Sequence, residues 1–375
     1  MLKAAFLYST PQGGHKECAD AVREALALSP QVSTVGLDAI GYLYPFLGPL
    51  IEKTYVEILK HTPQIWDYLY DNPDIAEITR EIRQFFSFLD TPKFKSLLSD
   101  TRPDAFVCTH ALPSGLIAEQ KRRGNCHLPL IAVVTDYEVH SYWAHPQVDR
   151  YLVANESSKA SLVTRGVAGE KIRVTGIPVK AAFSQIIPKA RAKERSGLDP
   201  ARPAILVMGG TRGMGPIKKT VDALLGLSEA PQILAVAGTN SELGSDLKPL
   251  AEAGKIRLFG MTDQVPLLMD AADILVTKPG GMTSSEALVK GLPMLLLHPI
   301  PGQEERNARC LVKNGAALES GDIKDLAEKA ASLLRRPEEL GKMSKKMLNI
   351  ATPHSARDAA EEILALTAHE SPRTR

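Results

Sequence analysis

The chain has 375 residues, of which 44% are hydrophobic and 23% charged, and these values are typical of a globular protein rather than a disordered or fibrous one. Lys and Arg number 45 against 43 Asp and Glu, and a net charge of +2 argues against a nucleic-acid partner. The four cysteines show no metal-ligand spacing, and no apolar run reaches the ~18 residues of a membrane span. We therefore expect a cytoplasmic protein of two domains.

Short apolar runs alternate with helical stretches through the first half of the chain. The run Lys3–Ser9 predicts a strand, and the Gly-bearing loop Thr10–Gly14 separates it from a stretch with helical periodicity. Further strands in this half are predicted at Asp104–Thr109, Leu130–Thr135, Tyr151–Ala154 and Ile172–Thr175.

The second half repeats this pattern. A predicted strand at Ala204–Met208 leads into a glycine loop, Gly209–Gly215, and then into a predicted helix at Pro216–Leu225. Further strands are predicted at Ile233–Ala237, Ile256–Phe259, Ile274–Thr277 and Met294–Leu297, before a terminal helical run at Pro337–Thr367. The alternation predicts an α/β protein of two Rossmann-like domains facing a central cleft, with ligands at the carboxyl ends of the strands.

The domain boundaries follow from a change in composition. The segment Pro188–Asp199 is charged, lacks a strand pattern and is bounded by prolines, as expected of a linker. We therefore predict an N-terminal domain at 1–185, a linker at 186–202 and a C-terminal domain at 203–345. A C-terminal helix at 346–375 is expected to cross back to the N-terminal domain.

The segment Thr277–Ala287 follows a predicted strand and opens a predicted helix. Its two glycines permit close approach of the backbone, and its hydroxyls come at a helix start, where free N–H groups and the helix dipole favour a phosphate. The carboxylate of Glu286, about one turn further on, can accept hydrogen bonds from vicinal ribose hydroxyls. A capping box, with Ser or Thr at the cap and Glu three residues on, is the alternative interpretation.

Other loops at strand ends carry chemistry of the same kind. The loop Gly209–Gly215 lacks the GK[ST] ending of a P-loop, which leaves a dinucleotide fingerprint or a plain tight turn. His15 follows two glycines at the start of the first predicted helix, where the helix dipole favours a neutral, base-competent imidazole, although a structural histidine fits equally well. The segment Thr135–Trp143 follows another strand end and supplies an acid, an imidazole and an indole, or else a helix cap with aromatic packing.

Several motifs are missing from the sequence. There is no D-x-D, which argues against a diphosphate held by a metal, and there is neither a Gly-x-Ser-x-Gly elbow nor a zinc spacing. The segment Pro301–Asn307, in contrast, opens a helix with amides and carboxylates, which can recognise sugar hydroxyls.

Taken together, these segments resemble glycosyltransferase family 28, which comprises inverting enzymes of the GT-B fold. Within the family, the chain is most similar to the branch of monogalactosyldiacylglycerol synthases and processive diacylglycerol glucosyltransferases. The resemblance covers nearly the whole chain. It rests on the Gly-Gly-His loop ending at His15, Thr135–Trp143, Val174–Val179, Met208–Gly215, Thr277–Ala287 and Pro299–Asn307.

The resemblance implies that the C-terminal domain binds a UDP-sugar as a co-substrate and that no cofactor or metal is needed. The backbone around Phe259 and Met261 is implied to hold the uracil, Glu286 the ribose and the glycine-opened helix the diphosphate. The implied donor-binding residues are Gly210, Phe259, Met261, Gly280, Gly281, Met282, Thr283, Glu286, Gln303, Glu304 and Asn307.

The same resemblance implies that the N-terminal domain receives the acceptor and that His15 is the catalytic base. Asp136 and His140, predicted at the same rim, are further catalytic candidates. The residues expected to meet the acceptor or the membrane are Gly13, Gly14, Trp66 and Trp143.

The implied activity is the transfer of a hexose from a UDP-sugar to a membrane lipid, diacylglycerol above all, to make a glycolipid. One alternative is a UDP-N-acetylglucosamine transferase that acts on a polyprenyl-linked or other lipid. Another is a UDP-sugar 2-epimerase of the same fold.

Aromatic residues are concentrated in one part of the chain, since 11 of the 20 Phe, Tyr and Trp residues lie between Tyr42 and Phe94. Relatives carry an acceptor- and membrane-contacting insert in this region, about 40–100, and its cations suit an anionic membrane surface. A core helical hairpin would also concentrate aromatic residues, and both interpretations stay open. With the first, the protein would associate peripherally with the cytoplasmic face of the membrane.

Overall fold

The computed structural model describes residues 1–43, 91–297 and 302–369. The chain divides into two compact units. Unit 1 comprises Met1–Ala181, Ile300–Gln303 and His354–Arg375, and unit 2 comprises Ala182–Pro299 and Glu304–Pro353. Most of the predicted aromatic insert, Trp66 included, lies outside the described residues.

The described part of unit 1 is built on a parallel six-stranded sheet in the order β2-β1-β3-β4-β5-β6. Its strands are β1 (Leu2–Tyr8), β2 (Val32–Asp38), β3 (Ala105–Cys108), β4 (Leu130–Val133), β5 (Arg150–Val153) and β6 (Ile172–Val174). Phe6 pairs with Val107, and Val107 with Ile131, across the three central strands. Every residue of β3 and β4 is buried, because both faces of the sheet are covered.

Helices connect these strands. They are α1 (Gly14–Leu26), α2 (Ala39–Leu43), α3 (Thr91–Thr101), α4 (Ala111–Arg122) and α5 (Glu156–Thr164). In α1 the buried residues recur at helical spacing, with Cys18, Val22 and Leu26 four residues apart on one face. This apolar stripe explains why α1 forms where the sequence predicts it and which side faces inward.

Unit 2 holds a second parallel sheet, whose six described strands follow the order β12-β11-β10-β7-β8-β9. They are β7 (Ala204–Met208), β8 (Gln232–Val236), β9 (Ile256–Phe259), β10 (Ile274–Thr277), β11 (Met294–Leu297) and β12 (Ala317–Ser320). Val276 of β10 pairs with Val207 on one side and with Leu295 on the other. These apolar central strands form the core of unit 2.

The helices of this half of the chain lie between the strands and after them. They are α6 (Ala181–Ser184), α7 (Lys189–Arg195), α8 (Ile217–Leu225), α9 (Ser241–Glu252), α10 (Val265–Ala271), α11 (Gly281–Lys290), α12 (Gln303–Lys313), α13 (Ile323–Leu334) and α14 (Pro337–Ile350). The segment for which the sequence predicts a linker contains α7. Asp273 lies 2.7 Å from the ammonium of Lys189 and 3.0 Å from that of Lys193, so α7 is held to unit 2.

The last described helix, α15 (Ser355–His369), belongs to unit 1, where it packs against α1. Its Glu362 carboxylate lies 3.6 Å from the guanidinium of Arg150 and 3.4 Å from that of Arg173. In residues 1–43, 91–297 and 302–369, no helix combines the length and the apolar character that crossing a membrane requires.

In each unit the carboxyl ends of the parallel strands meet at one edge of the sheet. In unit 1 the neighbours β1, β3 and β4 end together, and in unit 2 the neighbours β11, β10 and β7 do so. Loops at this edge are where open α/β sheets bind ligands. The predicted site residues lie mainly in these loops.

Candidate active site

The first group of predicted residues lies where β1 leads into α1. Gly13 is the N-cap residue of α1 and has φ +126°, a conformation that favours glycine. Gly14 then begins the helix, and His15 follows it with a half-buried side chain. The two glycines therefore bring the His15 imidazole to the carboxyl edge of the sheet.

Two threonines hold the ring of His15. Nδ1 of His15 donates a hydrogen bond to the carbonyl oxygen of Thr109 at 2.8 Å, and Oγ1 of Thr135 lies 3.1 Å from the same nitrogen. Because a carbonyl oxygen can only accept, Nδ1 carries the proton, and Nε2 of the neutral ring has its lone pair available. Burial lowers the pKa of His15, although the bond to Thr109 opposes that effect. The ring is thus set as a proton acceptor through Nε2.

Asp136 and His140 follow β4 at the same edge, as predicted. Both are buried, and the side-chain amide of Gln303 donates a hydrogen bond to the carboxylate of Asp136. The ring of His140 lies 5.6 Å, between centroids, from that of Tyr142. The structure therefore places Gln303, expected to read a sugar hydroxyl, on the Asp136 carboxylate.

Trp143 differs from its prediction. Its side chain is 1% exposed and belongs to the hydrophobic core of unit 1. The hydroxyl of Tyr151 donates to the Trp143 carbonyl at 2.9 Å, which fixes the short 3-10 helix Ser141–Trp143 onto the sheet. The expectation that Trp143 meets the acceptor or the membrane is wrong, because the indole packs inward as a core side chain.

His110 was not predicted to belong to this site. It follows β3 directly and is the N-cap residue of α4, where its Nδ1 accepts the backbone N–H of Leu112 at 3.1 Å. Its ring meets that of His15 edge to face, with 4.6 Å between centroids and 88° between planes. Burial, His15 and His140 together lower the pKa of His110 well below its ordinary value. The signal that could have revealed it is the one that identified His15, a histidine between a strand end and a helix start.

In unit 2 the glycine loop between β7 and α8 is packed too closely for side chains. A β-carbon on Gly209 would lie 2.1 Å from the carbonyl oxygen of Met214, and one on Gly213 would lie 2.3 Å from that of Ala237. Gly210 has φ +70° and faces the side chain of Lys278, whose Cε would be 3.6 Å from an added β-carbon. Gly209 and Gly213 therefore have no room for a side chain, and Gly210 lies next to Lys278, the residue that follows β10.

The start of α11 separates the two interpretations of the Thr277–Ala287 segment. The N-cap residue is Gly280, and no side chain caps the helix. The N–H groups of the first turn have no partner within the helix, an arrangement that favours an anion. Glu286 is the sixth residue of the helix and lies too far along to complete a capping box. The capping-box interpretation is therefore wrong.

The predicted residues of this segment differ in exposure. Gly281 and Met282 are buried, whereas Gly280, Thr283 and Glu286 are half-buried. The residues that can meet a ligand thus surround the uncapped helix start.

An ion pair connects the loops after β10 and β11. The ammonium of Lys278 contacts the carboxylate of Glu304, and these side chains are 24% and 9% exposed. Asn307, one turn further along α12, is 1% exposed and donates its amide to the carbonyl oxygen of Pro279 at 3.1 Å. Glu304 and Asn307 therefore both contact the loop that follows β10.

The last predicted donor residues follow β9 at the edge of the sheet. The carbonyl oxygen of Phe259 accepts the N–H of Ala237 at 2.8 Å, while the side chain of Met261 is 60% exposed. The end of β9 is thus hydrogen-bonded to the residue that follows β8. Among residues 1–43, 91–297 and 302–369, no group of three or more His, Cys, Asp or Glu side chains is arranged to hold a metal ion.

Two family models match the chain, one in each half. Residues 15–179 match the model described as monogalactosyldiacylglycerol (MGDG) synthase, and residues 204–363 match the glycosyltransferase family 28 C-terminal domain. Among curated relatives, the processive diacylglycerol beta-glucosyltransferase of Bacillus pumilus is 29% identical over 323 residues, which cover 85% of this chain and 83% of the relative.

Solved structures share the fold at low sequence identity. MurG of Acinetobacter baumannii matches with a TM-score of 0.63 and 14% identity, covering 97% of this chain and all of that one. UDP-GlcNAc 2-epimerase of Neisseria meningitidis, solved with UDP-GlcNAc bound, matches with a TM-score of 0.63 and 17% identity, over 98% and 100%. These likenesses confirm the predicted α/β architecture as the GT-B fold. With matching models in both halves, the chain belongs to glycosyltransferase family 28, in the branch of the monogalactosyldiacylglycerol synthases and processive diacylglycerol glucosyltransferases.

Proposed function

We propose that this protein is an inverting glycosyltransferase that transfers a hexose from a UDP-sugar to diacylglycerol and so makes a membrane glycolipid. Family membership and the names of the curated relatives support this acceptor. The observation that best supports a UDP-sugar donor is the start of α11. There a glycine cap leaves the first-turn N–H groups available at the carboxyl edge of the sheet.

We propose that each part of the UDP-sugar contacts a different carboxyl-edge segment of unit 2. The diphosphate would lie at the start of α11, where N–H groups and the helix dipole favour negative charge. Glu286 would accept the ribose hydroxyls, and the backbone from Phe259 to Met261 would hold the uracil. Lys278 and its partner Glu304 would lie between the diphosphate and the hexose, because their ion pair joins the loops after β10 and β11.

The chemical step is a single displacement. The acceptor hydroxyl oxygen attacks the anomeric carbon, the bond from that carbon to the UDP oxygen breaks, and UDP leaves with the electron pair, so the anomeric configuration inverts. Nε2 of His15 takes the hydroxyl proton, while Nδ1–H stays bonded to the carbonyl of Thr109. A general base of this kind is worth ~10²–10⁴-fold in rate.

Charge on the departing UDP has to be neutralised. We assign that role to the N–H groups of α11 and to the ammonium of Lys278, since preorganised donors of this kind stabilise developing charge. The sequence has no D-x-D motif with which to hold a metal-bound diphosphate. We therefore propose that catalysis requires no metal and no cofactor.

The acceptor is a lipid, so the enzyme has to reach a bilayer. We propose peripheral binding to an anionic surface on the cytoplasmic face of the membrane. The supporting feature is the sequence of the aromatic insert at about 40–100, where 11 aromatic residues stand near Lys and Arg residues, as in interfacial segments.

The test is a donor and acceptor panel. The purified chain is incubated with UDP-glucose, UDP-galactose or UDP-N-acetylglucosamine and with anionic vesicles, with or without diacylglycerol, and products are identified by mass spectrometry. We expect one UDP-hexose to give a glycosylated diacylglycerol, with UDP release that depends on diacylglycerol and persists in EDTA. Product formed only on a polyprenyl-linked acceptor, or an epimerised sugar nucleotide formed without lipid, would overturn the proposal.

A further inference from the structure

His110 makes two contacts that call for separate explanations. Its Nδ1 accepts the N–H of Leu112 at 3.1 Å and so caps α4. Its ring also meets the ring of His15 at 4.6 Å between centroids and 88° between planes. One contact concerns the helix that His110 begins, and the other concerns the histidine that we propose as the base.

The cap alone does not explain a histidine. An N-cap needs only a side-chain acceptor, and Ser, Thr, Asp and Asn supply one more commonly than imidazole does. With Nδ1 accepting from Leu112, the neutral ring carries its proton on Nε2 and cannot donate through Nδ1. Compared with Asn at the same N-cap position, His110 supplies in addition a planar aromatic ring that contacts the ring of His15.

Among the described residues, the hydrogen bonds of the His15 ring are all made at Nδ1. The carbonyl of Thr109 and the hydroxyl of Thr135 both lie at Nδ1, which sets the tautomer but allows the ring to tilt about that nitrogen. An aromatic contact on the ring itself restricts this tilt and excludes water. His110 is half-buried and belongs to the neighbouring strand end, so it is well placed to provide that contact.

We propose that His110 is a positioning residue for the reaction: its ring holds the imidazole of His15 against the Thr109 carbonyl, so that Nε2 points at the acceptor hydroxyl. This inference rests on the proposed function, since it takes His15 as the base. A displacement of about 1 Å at a reacting group can cost on the order of 10²-fold in rate. The effect of His110 should therefore appear in kcat rather than in donor binding.

Two variants separate the ring from the cap. His110→Asn keeps a good N-cap acceptor and removes the ring, whereas His110→Phe keeps a ring and removes the cap. We expect His110→Asn to retain its melting temperature and the KM for the UDP-sugar while kcat falls about 10- to 100-fold. His110→Phe should have a lower melting temperature than the wild type, because its cap is missing. Its kcat per folded molecule should be higher than that of His110→Asn.

A double variant tests whether His110 acts through His15. If it does, His15→Ala/His110→Asn should be no slower than His15→Ala alone, because the group that His110 positions is already missing. Independent losses that multiply would overturn the inference, and so would full kcat in His110→Asn. Full kcat in His15→Ala would instead overturn the assignment of the base, so the two failures are distinguishable.

Discussion

The carbonyl oxygen of Thr109 accepts a hydrogen bond from Nδ1 of His15 at 2.8 Å. In many enzymes a carboxylate holds the base histidine, but here a neutral backbone group does so. The carbonyl fixes the tautomer without adding a negative charge beside the ring. The proton acceptor is therefore Nε2, and its basicity is governed by burial rather than by an adjacent anion.

The first prediction is that His15→Ala lowers kcat by ~10²–10⁴-fold, the usual contribution of a general base. UDP affinity should be nearly unchanged, because the residues proposed to bind the UDP part of the donor, from Phe259 to Met261 and from Lys278 to Glu286, belong to unit 2. Single-turnover rates and calorimetric titration with UDP measure the two quantities. A structural histidine would give a different pattern, with a lower melting temperature and normal turnover per folded molecule.

The second prediction concerns pH. Burial lowers the pKa of His15 below its ordinary value of 6.5, so the base is mostly unprotonated at pH 6.5 and the acidic limb of kcat/KM should lie below that pH. The free energy of unfolding should also depend on pH, through the protonation of His15 and His110. The unfolded chain takes up protons on His15 and His110 near pH 6.5, whereas the folded chain does so only at lower pH.

The free energy of unfolding should therefore fall as pH drops from about 6.5 through the lower folded-state pKa values. Melting temperatures of the wild type and of His110→Asn at pH 7.5, 6.5 and 5.5 check this sign. The melting temperature of the variant should fall less on acidification, since the variant lacks one of the two imidazoles whose pKa is lowered in the folded chain. A wild-type melting temperature that rises on acidification would contradict the prediction.

The two strands that the sequence did not reveal are both edge strands, although the edge strands β6 and β9 were predicted. The predicted runs at Ala204–Met208, Ile256–Phe259, Ile274–Thr277 and Met294–Leu297 match four strands residue for residue. The strands that the sequence did not reveal are β2 and β12, each at an edge of its sheet. Every residue of β2 is half-exposed, and its sequence VSTVGLD is correspondingly polar. A half-exposed strand with a polar sequence has little hydrophobic pattern from which it could be predicted, whereas the edge strand β9 was predicted from its apolar residues.

In the candidate site, the sequence predicted residues whose position depends on adjacent segments, but not contacts between residues far apart in the chain. Gly13, His15 and Gly280 could be placed because a strand end, a glycine and a helix start adjoin one another in sequence. The contact of His110 with His15 joins residues 95 positions apart, and only the order β1-β3-β4 brings them together. Trp143 was misplaced for a related reason, since sequence alone does not show which way an indole at a strand end will turn.

A third prediction concerns a buried ion pair of unit 2. The ammonium of Lys290 lies 2.8 Å from the carboxylate of Asp270, and these side chains are 0% and 3% exposed. Lys290 also donates to the carbonyl of Gln185 at 2.7 Å, and Asp270 accepts the N–H of Ile187 at 3.1 Å. Lys290→Met should destabilise unit 2 by about 3–5 kcal/mol, because it leaves a buried carboxylate without its counter-ion.

An exposed pair of the same unit provides the control. Lys324 and Glu328 lie 4.0 Å apart on α13 with 86% and 67% of their side chains exposed. Lys324→Met should change stability by less than about 1 kcal/mol. Denaturant unfolding of both variants, with and without UDP, measures the difference. Similar small losses in the two would show that the buried pair is dispensable.

The fourth prediction tests the ribose contact. Glu286→Ala should weaken UDP binding by about 1–3 kcal/mol, or about 5- to 150-fold in Kd, since it removes a charged partner of the ribose hydroxyls. Uridine should be weakened to the same degree, because it carries the same ribose. A deoxygenated ligand isolates the contact: 2′-deoxy-UDP should bind the wild type more weakly than UDP does, and the difference should shrink in the variant. An undiminished difference would assign the hydroxyls to another residue.

The fifth prediction locates the diphosphate. Gly280 has φ −71° and ψ 138°, which alanine adopts without strain, and beyond its chain neighbours no atom of the described residues lies within 4 Å of an added β-carbon. Gly280→Ala should therefore fold normally. If the diphosphate lies at the start of α11, however, the new methyl group crowds it, at a cost of about 1–3 kcal/mol.

UDP affinity of Gly280→Ala should accordingly fall while uridine affinity stays constant, which distinguishes this variant from Glu286→Ala. Gly341→Ala is the matched control, because Gly341 also has space for a β-carbon but lies within α14, which follows the helix α13 rather than a strand end. That variant should bind UDP and uridine as the wild type does. Calorimetry on the three proteins measures all six affinities. Unchanged UDP binding by a stably folded Gly280→Ala protein would remove the diphosphate from the start of α11, and with it the observation on which the donor half of the proposed function depends.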